Sequence, residues 1–260
     1  MQLGIVYGYL GEARLSAENT SKAYALRDRV SESERFFISV QYYLQVSEQP
    51  EKVPPVCQIW VQSYPQDRVM HDRAGWAYMA LGQYENALAE AQQAYRKRGD
   101  TPVTVNLLAR SYLFLDRLPD ARAIFQKAFA QNPDQLFWRQ GMYLFDFLDG
   151  DMKRMEDQVA WAMSTPGAED SLLSMHSDTN TYFGHLEKAR ELSRRAVEFA
   201  QRHELKERSA LLIAGEALRE AWFGNSEAAG RQARAALSLV PGRDVRALAA
   251  LALARTGDAG

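Results

Sequence analysis

The sequence predicts an all-α solenoid of antiparallel helix pairs, and three series of residues predict it. Ala87, Ala121 and Ala189 lie on a lattice of 34 residues, with Met155 in the remaining slot. Seven positions later, Trp60, Ala94, Ala128, Ala162 and Ala196 keep the same spacing. Turn residues follow it too, at Gly82, Asp116, Gly150 and Gly184. A single compact core has no reason to repeat its small residues at a fixed interval. A stack of helix pairs, each touching only its neighbours, does.

The elements follow in order. Met1 to Leu10 is apolar without a basic flank and Glu12 comes soon after, so it reads as a helix and not as a leader. Leu3, Gly4, Tyr7, Gly11 and Ala23 outline a pair that lacks its first few residues. Gly11 and Glu48 are 37 apart, which places a longer connection near Ser31–Ser33. Pro54 and Pro55 interrupt the next unit. Proline inside a helix costs about 3 kcal/mol but is tolerated in the first turn. The helix carrying Cys57 and Trp60 is therefore predicted to begin at Pro54 or Pro55 and to be shorter than its counterparts.

The clearest unit runs from about Asp67 to Asp100. Ala74, Gly75 and Tyr78 lie on its first helix, Leu81-Gly82-Gln83-Tyr84 makes the turn, and Ala87, Ala91 and Ala94 lie on its second. In the next unit Thr101 suits an N-cap and Pro102 a first helical position. Leu108, Ala109 and Tyr112 lead to Asp116, then come Ala121, Phe125, Ala128 and a stop at Asn132-Pro133-Asp134. Met142, Gly150, Met155, Val159, Ala162 and Pro166-Gly167 mark a third unit, and Gly184, Leu186, Ala189 and Ala196 a fourth. The register then slips. Gly224, Ala229 and Ala236 lie 40 residues beyond Gly184, Ala189 and Ala196. The extra residues belong near Arg202–Arg208, in a lengthened helix ending near His203 or in its loop. Asp244–Arg255 is one Ala/Leu-rich helix ending near Gly257. Neither end shows the polar outer face of a solenoid cap. Residues 1–260 are thus expected to form a single array, truncated at both ends.

Composition narrows the function. Of 260 residues, 47% are hydrophobic and 25% charged, as in an ordinary folded domain. The net charge of −2, with acids and bases interspersed, argues against nucleic acid as a partner of this segment. No apolar run approaches the roughly 18 residues that span a bilayer, so no membrane insertion is expected. The single cysteine, Cys57, cannot form an internal disulfide, which fits a cytoplasmic protein.

The Leu81-Gly82-Gln83-Tyr84…Ala87…Ala94 and Tyr112…Ala121…Phe125…Ala128…Pro133 patterns resemble tetratricopeptide repeat (TPR) proteins over essentially the whole chain. The resemblance implies a right-handed superhelix of about seven and a half helix pairs that binds a protein or peptide. In that fold the first helix of each pair lines the concave groove. The groove residues implied here are Tyr42, Asp72, Arg73, Trp76, Asn106, Arg110, Phe114, Gln140, Leu144 and Phe147, with Asp178, Tyr182 and Trp222 in later units. Trp, Tyr and Arg are the residues enriched at interaction hot spots. The clamp with which some TPR proteins grip a chaperone's tail is not matched: Asp72 and Trp76 stand where its first Lys and Asn would be. A narrower likeness rests on Glu34-Arg35-Phe36-Phe37-Ile38-Ser39, Gln158-Val159-Ala160-Trp161-Ala162, Pro166-Gly167-Ala168-Glu169-Asp170 and Pro241-Gly242-Arg243-Asp244-Val245. These are similar to the C-terminal TPR arrays of certain bacterial serine/threonine protein kinases. Related arrays follow winged-helix regulators. That likeness implies a regulatory or sensory role in signalling, with a kinase or DNA-binding domain upstream in the same polypeptide.

No catalytic constellation is legible, so no enzyme, cofactor or metal is expected. His71, His176, His185 and His203 fit no metal-ligand spacing. Asp146-Phe147-Leu148 lacks the glycine of the kinase metal-binding triplet, and Gly4, Gly8 and Gly11 lack the spacing of a nucleotide loop. Cys57 reads as a buried structural residue. One polar group stands out. His176 and Asn180, then Glu216 and Glu220, sit at i,i+4 spacing on faces that should be packed. Buried carboxylates need partners, and Arg190, Arg194 and Arg195 on the preceding helix are candidates. The four residues form either an inter-repeat salt bridge or a polar site for a small ligand, which would make the chain a small-ligand sensor.

Overall fold

A computed structural model describes residues 1–67, 69–98 and 101–257. Among them are fifteen α-helices and no strand. The first four are α1 (Gln2–Tyr9), α2 (Ala13–Ala25), α3 (Glu32–Gln45) and α4 (Val53–Ser63). Then come α5 (Val69–Ala80), α6 (Tyr84–Arg98), α7 (Pro102–Phe114), α8 (Leu118–Gln131), α9 (Leu136–Leu148) and α10 (Met152–Met163). The last five are α11 (Glu169–Tyr182), α12 (Leu186–Arg202), α13 (Lys206–Trp222), α14 (Ser226–Leu239) and α15 (Arg243–Thr256). The chain is an all-α solenoid of antiparallel helix pairs. It divides into two compact units, Met1–Ile5 with Ser16–Phe145, and Val6–Leu15 with Asp146–Gly260.

Each turn between the helices of a pair is made by one residue with positive φ. Gly82, Gly150, Gly184 and Gly224 take φ of 71°, 69°, 81° and 79°. Only glycine enters this left-handed region without a Cβ clash. Asp116 (57°) and Glu48 (53°) occupy the same turn position without that freedom. Asp is among the few side chains that tolerate it, by hydrogen bonding locally.

The lattice positions are the inner contacts. Ala87, Ala121, Met155, Ala94, Ala162 and Ala196 are each fully buried. In the first unit the helices meet so closely that a Cβ on Gly75 would lie 2.5 Å from Leu107 Cδ2. One on Gly141 would overlap the Phe125 ring. Phe125 packs against Ala121, Ala128, Trp138 and Phe145 in one cluster. In the second unit Leu173, Leu192, Ala196, Ala200 and Leu212 form one core, and Ala217, Ala229, Ala233, Ala249 and Ala252 another.

The departures from the lattice have local causes. Pro54 and Pro55 lie in the first turn of α4, which starts one residue earlier than predicted, at Val53, after a 3₁₀ turn over Pro50–Lys52. A first-turn proline forfeits no intrahelical hydrogen bond. The longer connection before α3 holds a 3₁₀ turn at Arg27–Arg29 and a capping box, in which Ser31 and Glu34 satisfy each other's backbone N–H. The late slip is absorbed by helix length. Both α12 and α13 have 17 residues, against 12 in α10. The turn between them places Glu204 at φ 58°. The last residue expected in the clearest unit, Asp100, lies outside the described residues. Gly257, with φ 78°, ends α15.

Gly141→Ala is expected to destabilise the chain by about 1–3 kcal/mol, the usual cost of overpacking. Urea denaturation followed by circular dichroism measures it; an unchanged midpoint contradicts the close approach.

Candidate interaction surfaces

The first helices of the pairs carry the residues expected to meet a partner. In the first unit several are tied to neighbouring helices. Tyr42 stacks on Tyr24 with ring centroids 3.9 Å apart and planes 10° from parallel. The Arg73 guanidinium lies 5.2 Å over the Phe37 ring. Trp76 is half-buried against the Leu88, Ala91, Leu107 and Leu108 cluster. Asp72 departs from the expectation of a groove residue. It is fully buried and accepts a 2.9 Å hydrogen bond from the Thr104 hydroxyl, so it joins α5 to α7. Gln140 is half-buried on α9. Three others form an exposed group on α7. Arg110 donates to Asn106 Oδ1 at 3.0 Å, and Phe114, 55% exposed, stacks on Tyr84 at 4.8 Å.

In the second unit large apolar side chains are exposed at helix ends. Leu148, Tyr182 and Trp222 end α9, α11 and α13, and they are 48%, 74% and 57% exposed. Phe147 packs edge-on against Tyr182 at 5.3 Å, and Phe183 edge-on against Tyr182 at 5.2 Å. Trp222 also lines a pocket of about 260 Å³ between α11, α13 and α15, with Leu211, Leu218 and Leu248. Its polar rim is pre-set. Arg219 donates to Asp178 Oδ1 at 2.6 Å and to the Ser193 hydroxyl at 2.7 Å. Arg208 donates to Asp170 at 2.6 Å. Gly215 leaves the floor open, because a Cβ there would meet only Arg219 Nη1, at 3.6 Å. Arg208 and Arg219 escaped the sequence reading, since neither stands in a motif. The Arg208 end of α13 also receives the N-terminal segment: Glu207 accepts from the Arg14 backbone N–H through both oxygens at 2.9 Å.

The four polar residues of the expected ligand site do not share one cavity. His176 and Asn180 are buried on α11, with Asn180 Nδ2 donating to the His176 carbonyl at 2.8 Å. Burial holds the His176 pKa below its ordinary value. Glu216 and Glu220 line a separate cleft between α12, α13 and α14. There Glu220, 2% exposed, is held by Arg190 through two hydrogen bonds of 2.6 and 2.7 Å. Arg190 lowers the Glu220 pKa, while desolvation raises that of Glu216. Arg194 and Arg195 turn instead to Glu198 and Glu191 on their own helix.

Other candidate chemistry is structural. Cys57 is buried in the first core and desolvation pushes its thiol up to about 12. His71 Nδ1 meets Glu90 at 2.7 Å. Among the described residues no three His, Cys, Asp or Glu side chains are placed to hold a metal ion. Among the same residues, no helix is long and apolar enough to cross a membrane.

Residues 78–139 match the tetratricopeptide repeat family model. The matched stretch holds the Gly82 and Asp116 turns and the Ala87, Ala94, Ala121 and Ala128 contacts. Solved TPR structures share the fold. A TPR protein from Parabacteroides merdae aligns over 96% of each chain at 14% identity and a TM-score of 0.58. A chain of the APC/C hetero-tetramer Cut9–Hcn1 aligns over 92% of this chain at 13% identity and a TM-score of 0.61. This chain spans 48% of that one's length. A signal-transduction ATPase with a TPR sensor, from Pyrococcus horikoshii, aligns over 95% of this chain and 42% of its own, at 13% identity and a TM-score of 0.56. At these identities the likeness is one of fold. No curated relative matches the sequence.

Glu216 makes a stability prediction. Its folded pKa lies above the ordinary 4.5, so its favourable share is complete below 4.5 and is lost as pH rises through the folded value. At neutral pH the ionised, desolvated carboxylate is a net cost. Glu216→Gln is expected to stabilise the chain on the order of 1 kcal/mol at pH 7, with the gain shrinking as the pH is lowered to 4.5. Thermal melts across that range test it; a gain independent of pH contradicts the assignment.

Proposed function

We propose that the chain is a non-catalytic protein-interaction scaffold. It takes a peptide or protein segment on the faces of its first helices, as the regulatory or sensory region of a bacterial signalling protein of the kinase-associated kind. The observation that carries the binding role is the run of exposed apolar side chains that closes successive first helices of the second unit. Leu148, Tyr182 and Trp222 are large and exposed, and Trp222 lines a pocket with pre-set Arg219 and Asp178. Exposed aromatics next to an organised polar rim are the composition of an interaction hot spot. The Cut9–Hcn1 neighbour, a chain of a hetero-tetramer, supports an assembly role. The TPR sensor of the signal-transduction ATPase supports a regulatory one. The signalling role itself rests on the sequence likeness to kinase-attached arrays.

In the first unit, Arg110, Asn106 and Phe114 offer a smaller surface of the same kind. Tyr42, Arg73 and Trp76 instead pack against Tyr24, Phe37 and the Leu88 cluster.

Selection from a displayed peptide library, followed by titration of the enriched peptides, tests the proposal. Tyr182→Ala with Trp222→Ala is expected to weaken them at least about 10-fold, the loss of roughly 1.4 kcal/mol or more from a hot spot. The melting temperature should hold, because both side chains are exposed. Failure to enrich any peptide, or affinities unchanged in the double variant, overturns the reading.

A further inference from the structure

The cleft between α12, α13 and α14 carries chemistry that peptide binding on the first helices does not use. It measures about 670 Å³ and is open to solvent. Its floor is α13, which places Ile213, Glu216 and Glu220 on one stripe. Its walls are Val197 and Arg190 of α12 and Ala228 and Gln232 of α14.

Charge pairing inside the cleft is nearly complete, and the exception is informative. Arg190 is spent on Glu220 and Glu187. Arg194 is spent on Glu198, and Arg231 on Glu227, each at 2.6 Å. Glu191 meets Lys188 at 2.8 Å. Among the described residues, Glu216 makes no salt bridge; its hydrogen-bond partner is the Gln232 amide. The amide oxygen of Gln232 is buried with no hydrogen-bond partner. The cleft therefore presents a carboxylate without a salt bridge, with Arg219 and Arg190 acting on it only from farther off, and an orphaned amide oxygen. Both are acceptors. An orphaned buried acceptor is costly, and a half-buried carboxylate is costlier without a cation. A group that supplies only donors and a positive charge answers both, and an ammonium does so with three N–H bonds. The aliphatic faces of Val197, Ile213 and Ala228 suit a methylene chain behind it.

We propose that this cleft binds an aliphatic primary amine, its ammonium seated between Glu216 and Gln232 and its alkyl chain against Val197, Ile213 and Ala228. Two sources carry that chemistry, a free alkyl amine or diamine and the side chain of a lysine. Desolvation raises the Glu216 pKa despite the nearby Arg219 and Arg190, and a bound ammonium would favour its ionised form.

Calorimetric titration of the full chain with pentylamine, cadaverine and an end-capped lysine tests the site, with pentanol as the uncharged control. At least one amine is expected to bind at about millimolar strength or better, and pentanol is not. Glu216→Gln should weaken the amine at least about 10-fold, the value of a charge-assisted hydrogen bond, in a protein that melts no lower than wild type. Ala228→Trp, on a half-buried wall, should block the cleft while leaving both acceptors in place. Tighter binding of capped lysine assigns the site to a protein partner, and tighter binding of the free amines to a metabolite. Absence of amine binding to the wild-type chain, or equal binding in both variants, overturns the proposal.

Discussion

The structure depends on how closely the two helices of a pair, and successive pairs, can approach. Alanine at the lattice positions brings the backbones together until nothing is exposed at Ala87, Ala94, Ala121 or Ala196. Where even alanine is too large, Gly75 and Gly141 admit Leu107 and Phe125. A small residue on one helix and a large one on the next give interdigitation at crystal-like density. Because each contact is local, the array is set pair by pair. Longer helices such as α12 and α13, in successive pairs, can then be accommodated without disturbing the lattice before them.

That constraint explains why the fold was so legible. A left-handed turn and a close backbone approach each restrict residue type at a single position, so they leave a mark in the sequence. Gly82, Gly150, Gly184 and Gly224 were readable as turns for that reason, and all have positive φ. The proline-limited start of α4 and the lengthened α12 were readable on similar grounds.

The candidate sites were less legible, because they depend on which way long side chains turn. Arg190, Arg194 and Arg195 were equal candidates for Glu220, yet only Arg190 crosses to it; the other two satisfy acids one turn away. Asp72 neighbours the exposed face by one position, and that step of about 100° sends it into the α5–α7 contact with Thr104. His176 and Asn180 share a spacing with Glu216 and Glu220 but not a cavity. Arg219 could not be singled out at all, since its partners Asp178 and Ser193 come from two other helices. The chemistry of the second unit is thus assembled across helices, with carboxylates and guanidiniums pairing into rigid rims around small, partly apolar openings.

The central claim is that close packing at the lattice positions, and not apolar content in general, holds these helices together. Ala121→Leu and Ala123→Leu test it most directly. The two alanines lie within one turn of α8, the first fully buried and the second exposed. Chemical denaturation should show a loss of about 1–3 kcal/mol for Ala121→Leu, from overpacking. For Ala123→Leu it should show a change within about 0.5 kcal/mol. Equal effects at the two positions would contradict the account.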